Sequence, residues 1–187
     1  MYSTPDFRKG LRIEVNGEPY IIVDFQHVKP GKGGAFVRTK LKNLLSGNVV
    51  DKTFRSGEKV GKPDLEEKEM QFLYQDGEGF HFMDNATYEQ LALQEEVIGD
   101  SKNFLQENTN VTILFYQGRA INLELPIFVE LEVTEAEPGV KGDTASGASK
   151  PVTVETGAKI QVPLFINVGD RLKIDTRTGE YIERVKT

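Results

Sequence analysis

The chain has 187 residues, of which 38% are hydrophobic and 28% are charged, and its formal net charge at pH 7 is −6. These values are typical of a globular protein, and the lack of cysteine excludes disulfide bonds, thiolate zinc sites and catalytic thiols. No apolar run has the length that spans a bilayer, and the first ten residues, MYSTPDFRKG, lack the apolar stretch of a secretory signal. We therefore expect a cytoplasmic protein without a membrane partner.

Charge is distributed unevenly along the chain. Residues 1–63 carry 12 Lys and Arg against 6 Asp and Glu, residues 64–126 carry 3 against 13, and residues 127–187 carry 8 against 10. A basic segment attracts polyanions, whereas an acidic one is solvated or faces basic protein. The first segment is therefore the expected contact with a polyanion.

The first segment has the turn signals of a small antiparallel unit. Apolar residues alternate with polar ones or form short runs between turn residues, which is typical of all-β domains. Asn16-Gly17 separates LRIEV from EPYIIVDF, and Ser46-Gly47 separates TKLKNLL from NVVDKTF. Both pairs predict hairpins, because Asn, Ser and Gly favour tight turns.

The stretch KPGKGGAF, residues 29–36, places one cation among three glycines between two predicted strands. Glycine permits positive φ and close approach, and Pro30 fixes its own φ, so the stretch predicts an exposed turn with Lys32 at its tip. Two interpretations are open: an incidental lysine on a surface turn, or a probe whose amine reaches where the backbone cannot. A phosphate loop is excluded, because Gly33 follows Lys32 where that motif has Ser or Thr.

The remainder of the chain predicts two further β units. GEKVGKPDLEEKEM, with charges of both signs and no apolar period, indicates a boundary near residues 63–65, and Pro126 closes the second unit. Residues 85–93 predict a short helix capped by Asn85. A long polar loop between strands in the third unit suggests a small OB-type barrel. Further hairpins are predicted at Asp76-Gly77, Gln117-Gly118 and Thr178-Gly179.

No arrangement of side chains in the sequence predicts catalysis or a cofactor. No Ser/His/Asp grouping is evident, and His27 and His81 lack a second ligand-type residue at metal spacing. We therefore expect neither an enzyme nor a bound metal. The first segment instead interleaves cations with strand residues, so several can share one face and neutralise phosphates. These cations are Arg8, Lys9, Arg12, Lys29, Arg38, Lys40, Lys42, Lys52 and Arg55.

The whole chain resembles the bacterial translation elongation factor P family. The resemblance extends from DFRKGLRIEVNGEPY through KPGKGGAF, KTFRSGEKV and FMDNATYEQ to GDTASGASKP, ETGAKIQVPLFI and GDRLKIDTRTGEY. It implies an all-β protein with an N-terminal SH3-like (KOW-type) barrel and two OB barrels in an L-shaped arrangement similar to transfer RNA. The predicted domains are residues 1–64, 65–126 and 127–187.

The resemblance also implies a function. Members of the family bind the ribosome beside the peptidyl-tRNA, between the peptidyl and exit sites, and relieve stalling at consecutive prolines. Lys32 occupies the tip position that reaches toward the terminal CCA, and in many members a modifying enzyme extends that residue. A monomer without a cofactor is expected. The tip loop comprises Pro30, Gly31, Gly33 and Gly34 around Lys32, and the proposed RNA contacts are Lys29, Arg38, Lys40, Lys42, Arg55, Gly142, Asp143 and Thr144.

A single-stranded RNA-binding protein built from OB barrels is the alternative. Such barrels bind oligonucleotides through basic grooves and aromatic platforms. The charge distribution opposes this alternative, because the two segments predicted to form OB barrels carry net charges of −10 and −2. Binding to ribosomes but not to free RNA would discriminate the two functions.

Overall fold

Short antiparallel strands account for most of the structure, a computed structural model that describes residues 1–137 and 148–186. The prediction of an all-β fold is confirmed. The first strands are β1 (Tyr2–Ser3), β2 (Arg12–Val15), β3 (Glu18–Val28), β4 (Phe36–Asn43), β5 (Val49–Arg55) and β6 (Lys59–Val60). They are followed by β7 (Leu65–Asp76), β8 (Gly79–Asp84), β9 (Gln90–Leu93), the helix α1 (Glu95–Ile98), β10 (Asn110–Tyr116) and β11 (Arg119–Glu124). The last are β12 (Phe128–Ala136), β13 (Ser149–Val154), β14 (Lys159–Pro163), β15 (Arg171–Asp175) and β16 (Glu180–Val185).

The chain forms two compact units. The first unit comprises residues 1–67 with 114–122, and the second comprises residues 68–113 with 123–187. The three-domain division of the sequence stays a prediction. In the described residues, no helix has the length and apolar character needed to cross a membrane.

The first unit is built on a four-stranded antiparallel sheet with the order β2-β3-β4-β5. In β4, Val37, Thr39 and Leu41 are buried while the residues between them are exposed, as expected for a strand with one face in the core. Phe7 and Phe54 pack edge to face in this core, with ring centroids 5.3 Å apart. Such aromatic pairs stabilise a core beyond their buried area by about 0.5–1.5 kcal/mol.

Turn chemistry matches the sequence at the hairpin between β2 and β3. Asn16 and Gly17 have φ values of 53° and 77°. Both values are positive, as a two-residue turn matching the twist of the strands requires. The pair Gln117-Gly118 between β10 and β11 has φ values of 51° and 80° and is built in the same way. These two predicted hairpins are confirmed, as are those at Ser46-Gly47, Asp76-Gly77 and Thr178-Gly179, which join the antiparallel pairs β4–β5, β7–β8 and β15–β16.

The first unit also includes the hairpin segment 114–122. Tyr116 is buried, and its hydroxyl lies 3.2 Å from the carbonyl oxygen of Gly17 and 3.3 Å from Oε1 of Glu14. Burial, together with the nearby carboxylate of Glu14, raises the pKa of the Tyr116 phenol above its ordinary value. The phenol therefore stays protonated and donates to these oxygens.

The second unit contains the five-stranded sheet β14-β13-β12-β15-β16 and the antiparallel strands β7, β8 and β9. Val129, Leu131 and Val133 of β12 alternate with exposed residues and enter a core that also holds Leu172 and Ile174. This alternation is the signature of a sheet with one buried face.

The short helix predicted over residues 85–93 is wrong. The structure has a turn there followed by strand β9, and the helix α1 begins only at Glu95. The carboxylate of Asp84 accepts hydrogen bonds from the backbone N–H groups of Ala86 and Thr87 at 2.8 and 3.3 Å. Tyr88 has a φ of 62°, which no right-handed helix contains. The hydrogen bonds of the Asp84 side chain therefore stabilise a turn at the position where the helix was predicted.

Gly79, at the start of β8, should tolerate no side chain. Its φ is +131°, and a Cβ there would lie 2.5 Å from the carbonyl oxygen of Leu93. We expect Gly79→Ala to lower the free energy of unfolding by about 2–4 kcal/mol, because backbone strain and a steric clash combine. Thermal unfolding followed by circular dichroism would measure this loss.

The matched control is Gly77→Ala in the same hairpin, where a Cβ would have no atom within 4 Å. It should change the free energy of unfolding by less than about 1 kcal/mol. Equal losses in the two variants would contradict the role assigned to the backbone of Gly79.

Candidate functional site

The loop between β3 and β4 extends beyond the last residue pair of their ladder. Val28 pairs with Phe36, so residues 29–35 lie outside the sheet, and residues 29–34 are all exposed. Lys32 is four residues from each strand end, which allows its Cα to lie at most about 14 Å beyond the ladder. It forms no hydrogen bond or ion pair with the part of the chain that the structure describes.

The glycines of this loop leave it without side-chain packing. A Cβ at Gly31, Gly33 or Gly34 would meet no atom within 4 Å, and Gly33 has a φ of +93°. Positive φ at Gly33 explains the residue type there, while the other two leave open space on both sides of Lys32. Another surface can therefore approach the backbone closely around this one long side chain.

The exposed face of β4 carries Arg38, Lys40 and Lys42 at alternate positions. The structure brings these three predicted contacts together, because every second side chain of a strand points the same way. The ladder also shows which residues lie opposite each cation. Gln26 and Thr53 flank Arg38, Asp24 and Asp51 flank Lys40, and Ile21 and Val49 flank Lys42.

Lys40 is therefore the least available of the three cations. Opposite charges on directly facing positions attract each other, and Lys40 has a carboxylate on each side. One of these carboxylates, Asp24, also lies 3.7 Å from the amine of Lys9. All these groups are exposed, so each pair stabilises the fold only weakly, by about 0.2–1 kcal/mol.

Phe36 adds an aromatic ring to this face, next to the loop. It lies directly opposite Arg55 in the ladder, and Cζ of Arg38 lies 5.5 Å from its ring centroid. We call Phe36, Arg38 and Arg55 the arginine–phenylalanine patch. Arginine can bind phosphate bidentately, and an aromatic face can stack on a base or ribose. Phe36 was not among the contacts predicted from the sequence, although its position two residues before Arg38 places it on the same face.

A shallow depression of about 340 Å³ lies across strands β3, β4 and β5. Arg38, Lys40 and Thr53 line it, together with Asp24 and Asp51. Its walls thus carry charges of both signs, whereas the arginine–phenylalanine patch beside the loop has no carboxylate opposite it in the ladder. The patch is the stronger candidate for binding an anion.

Two groups of predicted RNA contacts remain, Lys29 and residues 142–144. Lys29 is exposed at the first position of the loop. Gly142, Asp143 and Thr144 lie outside the described residues, and their role stays a prediction.

The expectation that His81 lacks neighbouring metal ligands is wrong. Asp76, Glu78 and His81 bring ligand atoms within 4.8 Å of one another. Nε2 of His81 lies 2.7 Å from Oδ1 of Asp76, and this hydrogen bond, with that from the backbone of Glu78, lowers the pKa of the Asp76 carboxyl below its usual value. The hydrogen bond between His81 and Asp76 links the two strands of the β7–β8 hairpin. A metal cation could bind these residues only by breaking that hydrogen bond.

Comparison with known families covers nearly the whole chain. The elongation factor P KOW-like domain matches residues 3–60, the elongation factor P OB domain matches residues 65–123, and the elongation factor P C-terminal domain matches residues 129–184. The chain belongs to the elongation factor P family. Elongation factor P of Natranaerobius thermophilus is 60% identical over 186 residues, covering 100% of this chain and 99% of the relative. That of Pelotomaculum thermopropionicum is 57% identical over 185 residues, covering 99% and 100%.

Solved structures show the same fold. The eukaryotic translation initiation factor 5A from Methanococcus jannaschii superposes with a TM-score of 0.57 at 25% identity, covering 67% of this chain and 92% of that one. A translation initiation factor eif-5a family protein from Naegleria fowleri has a TM-score of 0.50 at 16% identity, which shows the fold alone. The resemblance to elongation factor P and the KOW-like and OB domains are confirmed.

Membership of the elongation factor P family makes the protein a translation elongation factor, and such a factor interacts with the ribosome. Its homologues are named as a translation factor rather than as an enzyme. The exposed cations of the first unit are the groups available there for ribosomal phosphates.

Arg38 and Lys40 should contribute unequally to ribosome binding. We expect Arg38→Gln to weaken binding and to reduce the slope of log K against log salt concentration by about 0.7–0.9, the value for one neutralised phosphate. Lys40→Gln should reduce the slope by less than half as much, because Asp24 and Asp51 already offset its charge. Co-sedimentation at several salt concentrations would measure both slopes, and equal reductions would refute this difference.

Proposed function

We propose that the protein binds the ribosome beside the peptidyl-tRNA, between the peptidyl and exit sites, and stimulates peptide-bond formation at consecutive prolines. Lys32 reaches toward the CCA end of the peptidyl-tRNA. The observation that carries this proposal is the isolated, exposed lysine on a glycine-rich loop that extends from a sheet with cations on its outer face.

The proposed mechanism is positional. Proline is a poor reactant because its ring restricts the attacking nitrogen and the nascent chain, so the reacting groups are seldom aligned. A factor that holds the peptidyl-tRNA in place restores the productive geometry, and orientation effects of this kind contribute several kcal/mol. The protein then needs no acid or base of its own, and bond formation remains with the ribosome.

The arginine–phenylalanine patch supports the tip in this mechanism. Arg55 lies opposite Phe36, the residue at which β4 leaves the loop, and Arg38 lies two residues further along β4. Phosphates bound there would fix the base of the loop against the RNA. The glycines let the loop approach the RNA backbone closely, and the Lys32 amine supplies three hydrogen-bond donors at the end of a flexible stem. In this mechanism the arginine–phenylalanine patch would supply most of the ribosome affinity, and Lys32 would supply the stimulation of peptide-bond formation.

Lys32 is also the proposed target of a lysine-modifying enzyme. Its exposure and its lack of described partners make its amine accessible to such an enzyme. Intact-mass measurement of the protein purified from its native source would detect an extension. The proposal also includes that the protein is monomeric and cytoplasmic.

Single-stranded RNA binding through the OB domains is a second candidate with one observation in its favour. Phe128 of β12 is 43% exposed, and the amine of Lys173 lies 4.5 Å from its ring centroid. An exposed aromatic ring beside a cation can stack on a base. Binding to free RNA oligonucleotides with an affinity comparable to that for ribosomes would favour this candidate.

Lys32→Ala should abolish relief of proline stalling while leaving the fold and most of the ribosome affinity unchanged. The side chain is exposed, so its loss costs little free energy of folding, and the cations on β4 remain. Lys32→Arg should also lose most activity, because it keeps the charge but changes the donor geometry and blocks any lysine-specific extension. Translation of a reporter with three consecutive prolines would measure both effects.

The matched control is Lys59→Ala, which removes an exposed lysine of the first unit that is not a proposed RNA contact. It should retain the stimulation, because Lys59 lies on β6 and not on the tip loop. Near-normal stimulation by Lys32→Ala, in protein whose mass has been verified, would contradict the proposed role of the tip.

A further inference from the structure

The first unit contains a second basic depression that the tip loop does not involve. It has a volume of about 290 Å³, and the residues that line it include three cations and no carboxylate. The cations are Arg8, Arg12 and Lys62, and Tyr2, Leu11 and Pro63 contribute apolar surface. Of these apolar residues, Leu11 and Pro63 are buried, so they form a fixed floor beneath the charged groups.

Two separate chain segments, residues 8–12 and residues 61–62, bring these cations together. A tight turn precedes β2, in which Leu11 N–H donates to the carbonyl oxygen of Arg8 at 3.1 Å and Gly10 has a φ of +88°. Arg12 is the first residue of β2. Glu14 of β2 then forms an antiparallel bridge with Gly61. The chain after Gly61 therefore returns along β2 and carries Lys62 toward Arg12.

The three cations differ in their freedom to bind an anion. Nη2 of Arg12 lies 2.7 Å from Oε1 of Glu67, so this guanidinium is held in place by an ion pair. Arg8 and Lys62 are exposed, and neither side chain forms an ion pair or hydrogen bond within the described residues. Two cations with uncompensated charge thus flank an oriented arginine over an apolar floor.

We propose that this depression is a second RNA-binding site, in which Arg8 and Lys62 bind backbone phosphates. Arg12 supplies an oriented guanidinium for a further phosphate oxygen or a ribose hydroxyl, and the apolar floor accommodates the sugar between them. Arg8 and Lys62 would displace cations condensed on the RNA phosphates, so this contact depends on salt concentration. The inference rests on the proposed ribosome-binding function, but it involves none of the residues of the tip loop or the arginine–phenylalanine patch.

The test is the salt dependence of ribosome binding for Arg8→Ala/Lys62→Ala. Each phosphate contact contributes about 0.7–0.9 to the slope of log K against log salt concentration, so this double variant should lose about 1.4–1.8. The matched control is Arg119→Ala/Lys59→Ala, which removes the same charge from exposed residues of the same unit that lie outside the depression and outside the proposed RNA contacts. We expect the control to keep a slope within about 0.5 of the wild type. Arg8→Lys/Lys62→Arg, which preserves both charges, should keep most of the wild-type slope.

The outcomes separate this inference from the proposed function. If the wild-type protein binds ribosomes and Arg8→Ala/Lys62→Ala keeps the wild-type slope, the second site is refuted while the proposed function stands. Equal losses in the double variant and its control would also refute the site, because they would reflect net charge alone. Wild-type protein that does not bind ribosomes would refute the proposed function itself.

Discussion

The two-residue period of β4 is the constraint on which the rest of the first unit depends. Val37 and Leu41 are both 0% exposed, and between them Arg38 and Lys40 face solvent. A slip of one residue would exchange these sets and place charged groups in the core, and an unpaired buried charge costs several kcal/mol. Hydrophobic burial therefore fixes which side of the sheet is basic, and the same register places Arg38, Phe36 and Arg55 together beside the loop.

The loop and the sheet have opposite physical requirements. The sheet holds its cations in fixed positions through packing beneath them, whereas the three glycines of the loop make no such packing. Rigid placement suits contacts that position an RNA, and a bare loop suits a side chain that must enter a confined space. A broad basic face and one isolated amine are therefore complementary parts of one proposed surface.

The acidic character of the second segment is compatible with this division. Its carboxylates are used within their own unit: Asp84 accepts backbone N–H groups in a turn, and Asp76 bonds to His81 across a hairpin. Hydrogen bonds of this kind stabilise tight turns and keep the carboxylates ionised. The negative charge of Asp76 and Asp84 thus has local structural uses, while Lys32, Arg8 and Lys62 of the first unit have no carboxylate partner within the described residues.

The sequence by itself determined the all-β class, the hairpins at Asn16-Gly17 and Gln117-Gly118, and the exposed faces of strands such as β4. Each of these depends on residues close together in the chain: a turn needs particular φ values, and a strand alternates its side chains. Lys32 stood out for the same reason, because its glycine neighbours are adjacent to it. The failure at residues 85–93 came from a competing local effect, the hydrogen bonds of Asp84, which outweighed helix propensity.

Only the tertiary structure decided which distant residues meet. The ladder between β3 and β4 shifts register between Ile22 and Asp24, so Asp24 rather than Val23 lies opposite Lys40 and offsets its charge. In the same way, the bridge between Glu14 and Gly61 brings Lys62 back toward Arg12. Bulges and long-range bridges arise from the packing of whole strands against a shared core, and no short pattern encodes them. The sequence therefore identified the cations, and their neighbours in the fold decided which of them remain free to bind an anion.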